Sequence, residues 1–375
     1  MSRTVTLKVV GSSGALLGAL PPFDVDLPWW MEAAEIVATA RRLHGVEVAI
    51  LRLLDTEPGL THGGKVTYLA ELLTGTTDAL KPSTLDTTDH PLRPDYAKPG
   101  GPARSLAWAA SVLDEPIVVV AQQRTWNLSA IWRLITTRGD VLWLKQVPHF
   151  FFHEAAVLSY LDHLCLLAFD DAGRMLMGNI PGADLYDAPY SVREQIAGDM
   201  VAIQLKAANE VGTLIGMGVP DLRGCNLANR TRGLLDEPWI LDRLNATSAC
   251  GLPDTLVHGD LHPGNVCGTP TERTIIDWGD SFIGQPAFDI IRLAERLSEP
   301  ETVRLYAFWA DLWRAALPGC DPLGAIEAIR PVAALRNAMV YADFLANIEP
   351  SEHPYHSQDV DFWLKKARQA APGPA

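Results

Sequence analysis

Two short polar segments constrain the fold of this chain more than any other feature of its sequence. The first, LVHGDLHPGNV at residues 256–266, follows an apolar run and carries Asp260 and Asn265, with four residues between them. The second, TIIDWGD at residues 274–280, places Asp277 seventeen positions after Asp260. The stretch between them is long enough for a hairpin turn. We therefore predict a strand–loop–strand arrangement that brings these polar side chains to one point.

The side chains of both segments are those that phosphoryl transfer requires. The protein has to orient the attacking hydroxyl with a carboxylate and to hold the metal that gathers the phosphate charge. Asp260 has the spacing of the catalytic base, and Asn265 and Asp277 offer the hard oxygen ligands that Mg²⁺ prefers. His258 stands where such loops carry a structural histidine. The pattern predicts a Mg²⁺-dependent kinase with ATP or GTP as co-substrate.

Each aspartate taken alone also has a structural explanation, Asp260 as a turn residue and Asp277 as a strand-end cap. Their joint occurrence, in order and at this spacing, favours function. A kinase site further requires a lysine on a strand and a glutamate on the next helix. VLWLKQV supplies Lys145 and HEAAVLSYL supplies Glu154. We predict that Lys145 binds the nucleotide phosphates and that Glu154 fixes its ammonium group.

Through HGDLHPGN and IIDWGD, residues 103–365 resemble the aminoglycoside phosphotransferase family within the protein-kinase-like fold. GQPAFDI at residues 284–290 resembles the segment that follows in that family. The resemblance implies that Asp289 is a structural acid that anchors the catalytic loop. RMLMGNIPGADL resembles the strand–hinge segment of the family, which implies that the backbone around Gly178 and Ile180 binds the nucleobase.

The phosphate-covering loop departs from a glycine-rich pattern. Its candidate segment, RTWNLSAIWRL, contains no glycine, so close approach of the backbone to phosphate is less assured. Asn127 and Ser129 still offer a side chain or a backbone amide. We predict Ser129 as a nucleotide-binding residue.

The pattern of elements predicts an α+β chain with a bilobal protein-kinase-like fold, preceded by a small α/β-type domain. We expect an N-terminal accessory domain at residues 1–90, a linker at 91–102, a β-rich N-lobe at 103–180 and a helical C-lobe at 181–375. The N-terminal region, with WWMEAAEIVATARRLHG as a helix between strands, resembles a degenerate Nudix domain. It lacks the carboxylate cluster that metal binding needs, so we expect a non-catalytic cap or dimerisation module.

Composition restricts the partners. The net charge of −14 argues against a nucleic-acid partner, which needs a basic surface. No stretch of about 18 uninterrupted apolar residues is present, so no membrane span is expected. Five widely spaced cysteines without a C-x-x-C pair favour a reducing compartment, and we expect the cytoplasm. A homodimer is possible.

The leading hypothesis is therefore a phosphotransferase with an alcohol group as acceptor. The acceptor is expected to be a small metabolite or antibiotic, such as an aminoglycoside, a nucleoside antibiotic or an amino sugar, and antibiotic resistance is one such role. The alternative is a non-catalytic nucleotide-binding regulatory protein on the same fold. A hydrolase centred on the N-terminal unit and a protein kinase are less favoured, the latter because Gly259 stands where protein kinases carry arginine.

Overall fold

The chain divides into two compact units. The structure, a computed structural model, describes residues 2–86, 88–162, 165–269 and 271–371. The first unit consists of residues 1–152, 164–179 and 344–357, and the second of residues 153–163, 180–343 and 358–375. The predicted α+β class is confirmed, since the first unit contains two sheets and the second is mostly helical.

The described part of the first unit contains ten strands and two helices. These are β1 (Arg3–Val10), β2 (Leu16–Ala19), β3 (Phe23–Val25), α1 (Ala34–His44), β4 (Glu47–Thr56), β5 (Gly64–Thr74), α2 (Gly101–Ser111), β6 (Ile117–Trp126), β7 (Ser129–Thr136), β8 (Val141–Gln146), β9 (Leu166–Phe169) and β10 (Arg174–Gly178).

The N-terminal sheet has the strand order β2-β1-β5-β4, and β3 also pairs with β1. β1 and β5 are parallel, whereas β4 is antiparallel to β5. The alternation in RTVTLKVV places every second side chain of β1 in the core, as its burial pattern shows. Helix α1 buries Ile36 and Ala40, which are one turn apart, against that core.

Helix α1 begins later than the sequence pattern predicts. We expected it from Trp29, but its first residue is Ala34. The preceding residues are used for other contacts, because the indole of Trp30 is buried and donates to the carbonyl oxygen of Gly63 at 2.8 Å. Helix α1 ends as predicted, at Gly45 with φ of 66°.

The second sheet of this unit is antiparallel, with the order β6-β7-β8-β10-β9. Its five strands match the segments that the sequence pattern marks as the β-rich lobe. The two sheets are joined by hydrogen bonds, since the buried amide of Gln122 on β6 contacts both the backbone nitrogen and the backbone oxygen of Ile50 on β4, each at 2.8 Å. Residues 91–102, the predicted linker, include the buried Tyr96 and the first turn of α2.

The second unit contains nine described helices and five short strands. These are α3 (His153–Tyr160), β11 (Ala183–Asp184), α4 (Tyr190–Ala207), α5 (Val211–Gly216), α6 (Gly224–Thr231), α7 (Pro238–Ala249), β12 (Thr255–Val257), β13 (Val266–Gly268), β14 (Arg273–Ile275), β15 (Phe282–Gly284), α8 (Ala287–Leu293), α9 (Glu299–Ala316), α10 (Pro322–Asn347) and α11 (Asp359–Ala370).

The strands of the second unit form two small sheets that hold the polar segments. β12 pairs antiparallel with β15, and β13 forms the predicted hairpin with β14 and also pairs with β11. Around them, helices bury large side chains, among them Trp309 and Trp313 of α9. Among the described residues, no helix combines the length and the apolar character needed to cross a membrane.

Candidate active site

The first polar segment begins where a buried strand ends. Leu256 and Val257 of β12 are fully buried, and the chain then turns at Gly259, which has φ of +84°. A Cβ atom added at Gly259 would lie 2.2 Å from the carbonyl oxygen of Asp280. Glycine is therefore required here both by the left-handed backbone and by the close approach of the second polar segment.

His258 has the structural role that the sequence predicts. Its ring is buried, with Nε2 2.9 Å from the carbonyl oxygen of Ile276 and Nδ1 3.2 Å from the backbone nitrogen of Asp260. These two partners assign the proton to Nε2, because a carbonyl only accepts and a backbone N–H only donates. Burial lowers the pKa of His258, which keeps the ring neutral. The ring thus joins the two polar segments.

Asp289, at the start of α8, lies at the base of the catalytic loop. Its carboxylate accepts from the backbone nitrogens of His258 and Gly259, both at 3.0 Å, and from Nε2 of Gln204 at 2.9 Å. Burial raises the pKa of Asp289 to about 7, and the N–H donors oppose that rise. This arrangement supports the anchoring role that the family resemblance implies.

Asp260 and Asn265 are brought together as the spacing predicts. The Nδ2 of Asn265 donates to the backbone oxygen of Asp260 at 3.0 Å and to its Oδ2 at 3.2 Å. The Oδ1 of Asp260 accepts from Nε of Arg292 at 2.7 Å. Burial opposes ionisation of Asp260, but hydrogen bonding from His262 and the charge of Arg292 outweigh it and lower its pKa. Asp260 is therefore an ionised carboxylate in a fixed orientation.

The backbone of Ile276, the residue before Asp277, is hydrogen-bonded to the first polar segment. The backbone nitrogen of Ile276 donates to the carbonyl oxygen of Asn265 at 2.9 Å, and the carbonyl oxygen of Ile276 accepts from His258. Asp277 follows directly, with an exposed side chain and a left-handed backbone (φ 66°, ψ 62°). A non-glycine residue in that conformation is strained, and such strain concentrates at functional sites.

Arg336 of α10 fixes the two polar segments to each other, and no local sequence signal predicts it. Its buried guanidinium donates to the carbonyl oxygen of Gly259 at 2.8 Å and to that of Asp280 at 2.7 Å. It also lies 4.7 Å above the ring centre of Phe282. Arg336 is 77 residues beyond Gly259 along the chain.

Asp280 adds a third carboxylate to the site. Burial raises its pKa to about 7, and the charges of Asp260, Asp277 and Glu154 raise it further, against the lowering effect of Arg336. Asp280 lies inside the sequence motif IIDWGD but was not predicted as a site residue. Arg292 was missed too, although it lies three residues after Asp289 and so on the same face of α8.

Glu154 lies in the same unit as the two polar segments. Helix α3 packs against the turn at residues 278–280, and the backbone at Ser281 and Gly279 influences the pKa of the buried His153 ring. Burial lowers the pKa of His153 to about 4. Glu154, the next residue, is 1% exposed. The predicted helical glutamate is therefore held beside the segment that carries Asp277.

Three of the predicted nucleotide-binding residues lie in the first unit. Lys145 is buried on β8, and Gly178 is the last residue of the adjacent β10. Ser129 begins β7, and its buried hydroxyl accepts from the indole nitrogen of Trp126 at 3.2 Å. Ile180 follows β10 and belongs to the second unit. Nucleotide binding by all four residues stays a prediction.

The donor atoms of the loop fit a hard divalent cation. Both hydrogen bonds of the Asn265 amide use Nδ2, which orients its Oδ1 away from Asp260 as an oxygen ligand. Asp277 and Asp280 add carboxylates, and the pKa of Asp280 is raised first by burial and then by the charges of Asp260, Asp277 and Glu154. A bound Mg²⁺ would offset the repulsion between these charges. Among the described residues, no three His, Cys, Asp or Glu side chains are grouped to hold a metal ion by themselves, so the predicted site depends on the amide oxygen of Asn265 as well.

A comparison with known protein families matches a part of the chain that contains both polar segments. Residues 161–323 match the model of APH, the phosphotransferase enzyme family. No curated protein sequence matches the chain. Among solved structures, the chain is similar to macrolide 2'-phosphotransferase MphH from Brachybacterium faecium, with 14% identity, coverage of 72% of this chain and 98% of that one, and a TM-score of 0.47.

Two further solved structures are similar at the same level. One is the GDP and kanamycin complex of APH(2")-IIia, with 16% identity, 71% and 99% coverage and a TM-score of 0.48. The other is described as a fructosamine-3-kinase from Thermobifida fusca YX-ER1, with 17% identity, 70% and 98% coverage and a TM-score of 0.46. The family match over residues 161–323 confirms the predicted resemblance of this part of the chain to the phosphotransferase enzyme family.

Proposed function

We propose that this phosphotransferase moves the γ-phosphate of ATP or GTP to a hydroxyl of a small metabolite or antibiotic, in a Mg²⁺-dependent reaction with Asp260 as base. One observation carries the proposal. Asp260 and Asn265 share hydrogen bonds within one loop, and Ile276, which is bonded to both Asn265 and His258, positions Asp277 next to them. Chemistry that needs one carboxylate base and two oxygen ligands is supported by this arrangement.

The proposed step is a direct displacement. The acceptor oxygen forms a bond to the γ-phosphorus, the bond from that phosphorus to the β–γ bridging oxygen breaks, and the nucleoside diphosphate leaves. The acceptor's hydroxyl proton passes to the carboxylate of Asp260. Because the pKa of Asp260 is lowered, this carboxylate is ionised at neutral pH and ready to accept a hydrogen bond from the hydroxyl.

The other residues position the co-substrate. Asn265 and Asp277 would hold Mg²⁺, which supplies charge neutralisation for the phosphate oxygens. Lys145 is proposed to contact the phosphates with Glu154 as its partner, and Ser129 to approach them from the loop before β7. The backbone at Gly178 and Ile180 is proposed to contact the nucleobase. The five cysteines are thiols, which supports a reducing compartment such as the cytoplasm.

Phosphate transfer to a panel of hydroxylated compounds tests this function. The panel contains aminoglycosides, nucleoside antibiotics, amino sugars, neutral sugars and sugar acids, each with ATP or GTP and Mg²⁺, and mass spectrometry detects the product. We expect a phosphorylated product with the wild type. The Asp260→Asn variant is expected to lose about 10²–10⁴-fold in kcat, because the amide cannot accept the proton.

The control is a nucleotide-binding measurement on the same two proteins. Asn at position 260 can still accept from Arg292, so we expect both to bind nucleotide equally. Undiminished transfer by Asp260→Asn would show that another group is the base. Nucleotide binding without transfer to any acceptor would instead support the regulatory alternative.

A further inference from the structure

A cavity adjoins the catalytic loop within the second unit. Its volume is about 360 Å³, which lies in the range of small-molecule sites. Its walls come from the catalytic loop and from helices α8, α10 and α11. Its lining includes the charged residues Arg292, Glu295, Arg330, Arg336 and Lys366 and the aromatic residue Trp363.

The cavity is positively charged in an acidic chain. Four of its lining residues are cations and one, Glu295, is an anion. The whole chain has 45 acidic and 31 basic residues, so its net charge has the opposite sign. Glu295 is also already paired with the guanidinium of Arg292. The electrostatic field inside such a concave wall attracts anions and repels cations.

Two of the cations have binding capacity left. Arg292 donates from Nε to Asp260 and from Nη1 to Glu295, and no hydrogen bond of the described residues uses its Nη2. Lys366 lies 4.4 Å from the ring centre of Trp363, and it has no carboxylate partner in the described part of the chain. By contrast, Arg336 is committed to two backbone carbonyls.

Arg292 connects the cavity to the chemistry. It lines the cavity and at the same time holds Oδ1 of Asp260 at 2.7 Å from its Nε. A ligand that fills the cavity therefore contacts the arginine that holds the proposed base, and the lining residue Gly259 directly precedes that base. The cavity also offers a face for a ring or an aliphatic segment, from Trp363, Phe288 and Ile291.

We propose that the acceptor bound in this cavity is an anionic hydroxylated molecule, a compound that carries a carboxylate or a phosphate besides the hydroxyl. This inference rests on the proposed function, because it assigns the substrate class of the same site. Lys366 binds the anionic group, and Arg292 donates to the acceptor from Nη2. A polycationic aminoglycoside meets like charges on these walls and is disfavoured.

Four sugars of matched ring size test the charge preference. Glucuronate and glucose 6-phosphate carry a carboxylate and a phosphate, glucose is neutral, and glucosamine is protonated at mildly acidic pH. Dissociation constants are measured by ligand-observed NMR on the wild-type chain without nucleotide. We expect one or both anionic sugars to bind about tenfold more tightly than glucosamine, and their ranking distinguishes a carboxylate from a phosphate as the preferred group.

Two matched variants of helix α11 test whether Lys366 is responsible for the charge preference. Lys366→Gln removes one cation that lines the cavity, and Lys365→Gln removes an exposed neighbour that does not line it. We expect Lys366→Gln to weaken binding of the preferred anionic sugar about tenfold and to leave glucose unchanged, since a hydrogen-bonded charge is lost. Lys365→Gln should change neither.

The inference is overturned if glucosamine binds as tightly as both anionic sugars, if none of the four sugars binds, or if Lys366→Gln and Lys365→Gln behave alike. These measurements involve no turnover, so they are separate from the proposed function. Phosphate transfer to cationic acceptors only, in the panel described above, would overturn the inference and leave the kinase function standing.

Discussion

Replacement of Arg336 by methionine tests whether a distant helix holds the two polar segments together. Met fills similar volume but cannot donate, so two hydrogen bonds from a buried cation to the carbonyl oxygens of Gly259 and Asp280 are lost. Each such bond contributes about 1.5–3 kcal/mol. Relief of the buried guanidinium's desolvation offsets part of this loss, so we expect the free energy of unfolding to fall by about 3–5 kcal/mol.

The assay combines urea unfolding with steady-state kinetics. Arg336→Lys keeps the charge but has no planar fork to reach two carbonyls, so it should recover part of the stability only. Arg314→Met on α9 is the control, because its guanidinium is exposed and, among the residues that the structure describes, pairs only with Asp311 at 3.3 Å. Its effect should stay within about 0.5 kcal/mol. If Arg336→Met unfolds like Arg314→Met and keeps full activity, the joining role of Arg336 is refuted.

Three further predictions concern stability and the loop. Gly259→Ala would place a Cβ 2.2 Å from the carbonyl oxygen of Asp280 at φ of +84°. We expect this variant to lower both the free energy of unfolding, by about 1–3 kcal/mol, and kcat. Gly139→Ala, also at positive φ but with open space around it, should lower the free energy of unfolding alone. Asp289→Asn places an amide against three N–H donors and should reduce kcat with little change in nucleotide affinity, as stopped-flow and binding measurements would show; equal loss of both would point to general unfolding. Burial raises the pKa of Glu352 to about 8, so the folded state binds its proton more tightly than the unfolded chain, in which the pKa is 4.5. The contribution of Glu352 to the free energy of unfolding is therefore complete below pH 4.5 and declines as the pH rises towards 8. Glu352→Gln should flatten that decline in urea unfolding curves measured across this range, and an unchanged pH dependence would contradict the assignment.

The loop at residues 258–265 could be predicted because the residues proposed for its chemistry lie close together in the sequence. His258, Asp260 and Asn265 lie within eight positions, and the hairpin that returns the chain to Asp277 follows from the length between the segments. Apolar patterns likewise predicted β1, β4 and β5 and the strands of the second sheet, but not the short strands β2 and β3. Local periodicity and the spacing of residues can be observed directly in a single sequence.

The contacts that tune the site were less accessible to prediction. Arg336 reaches Gly259 from a helix 77 residues away, and nothing in the sequence of α10 marks that arginine among others. The late start of α1 has a similar origin, because the tertiary contact of Trp30 with Gly63 overrides the helical periodicity of its neighbours. Long-range packing of this kind depends on the fold as a whole and leaves no local pattern.

The family resemblance and the charge of the cavity lead to different expectations about the acceptor. The resemblance to aminoglycoside phosphotransferases favours a cationic compound, whereas Arg292 and Lys366 favour an anionic one. The resemblance rests on the segments HGDLHPGN and IIDWGD, and the walls of the proposed acceptor site are a separate set of residues. We therefore give more weight to the cavity in choosing compounds.

Calorimetric titration with a non-hydrolysable ATP analogue, with and without Mg²⁺, tests the central claim most directly. If Asn265 and Asp277 hold the metal between the phosphates, Mg²⁺ should tighten analogue binding at least about tenfold in the wild type, and this gain should disappear in Asp277→Asn. Equal tightening by Mg²⁺ in both proteins, or none in the wild type, would contradict a metal-assisted phosphoryl-transfer site at these residues.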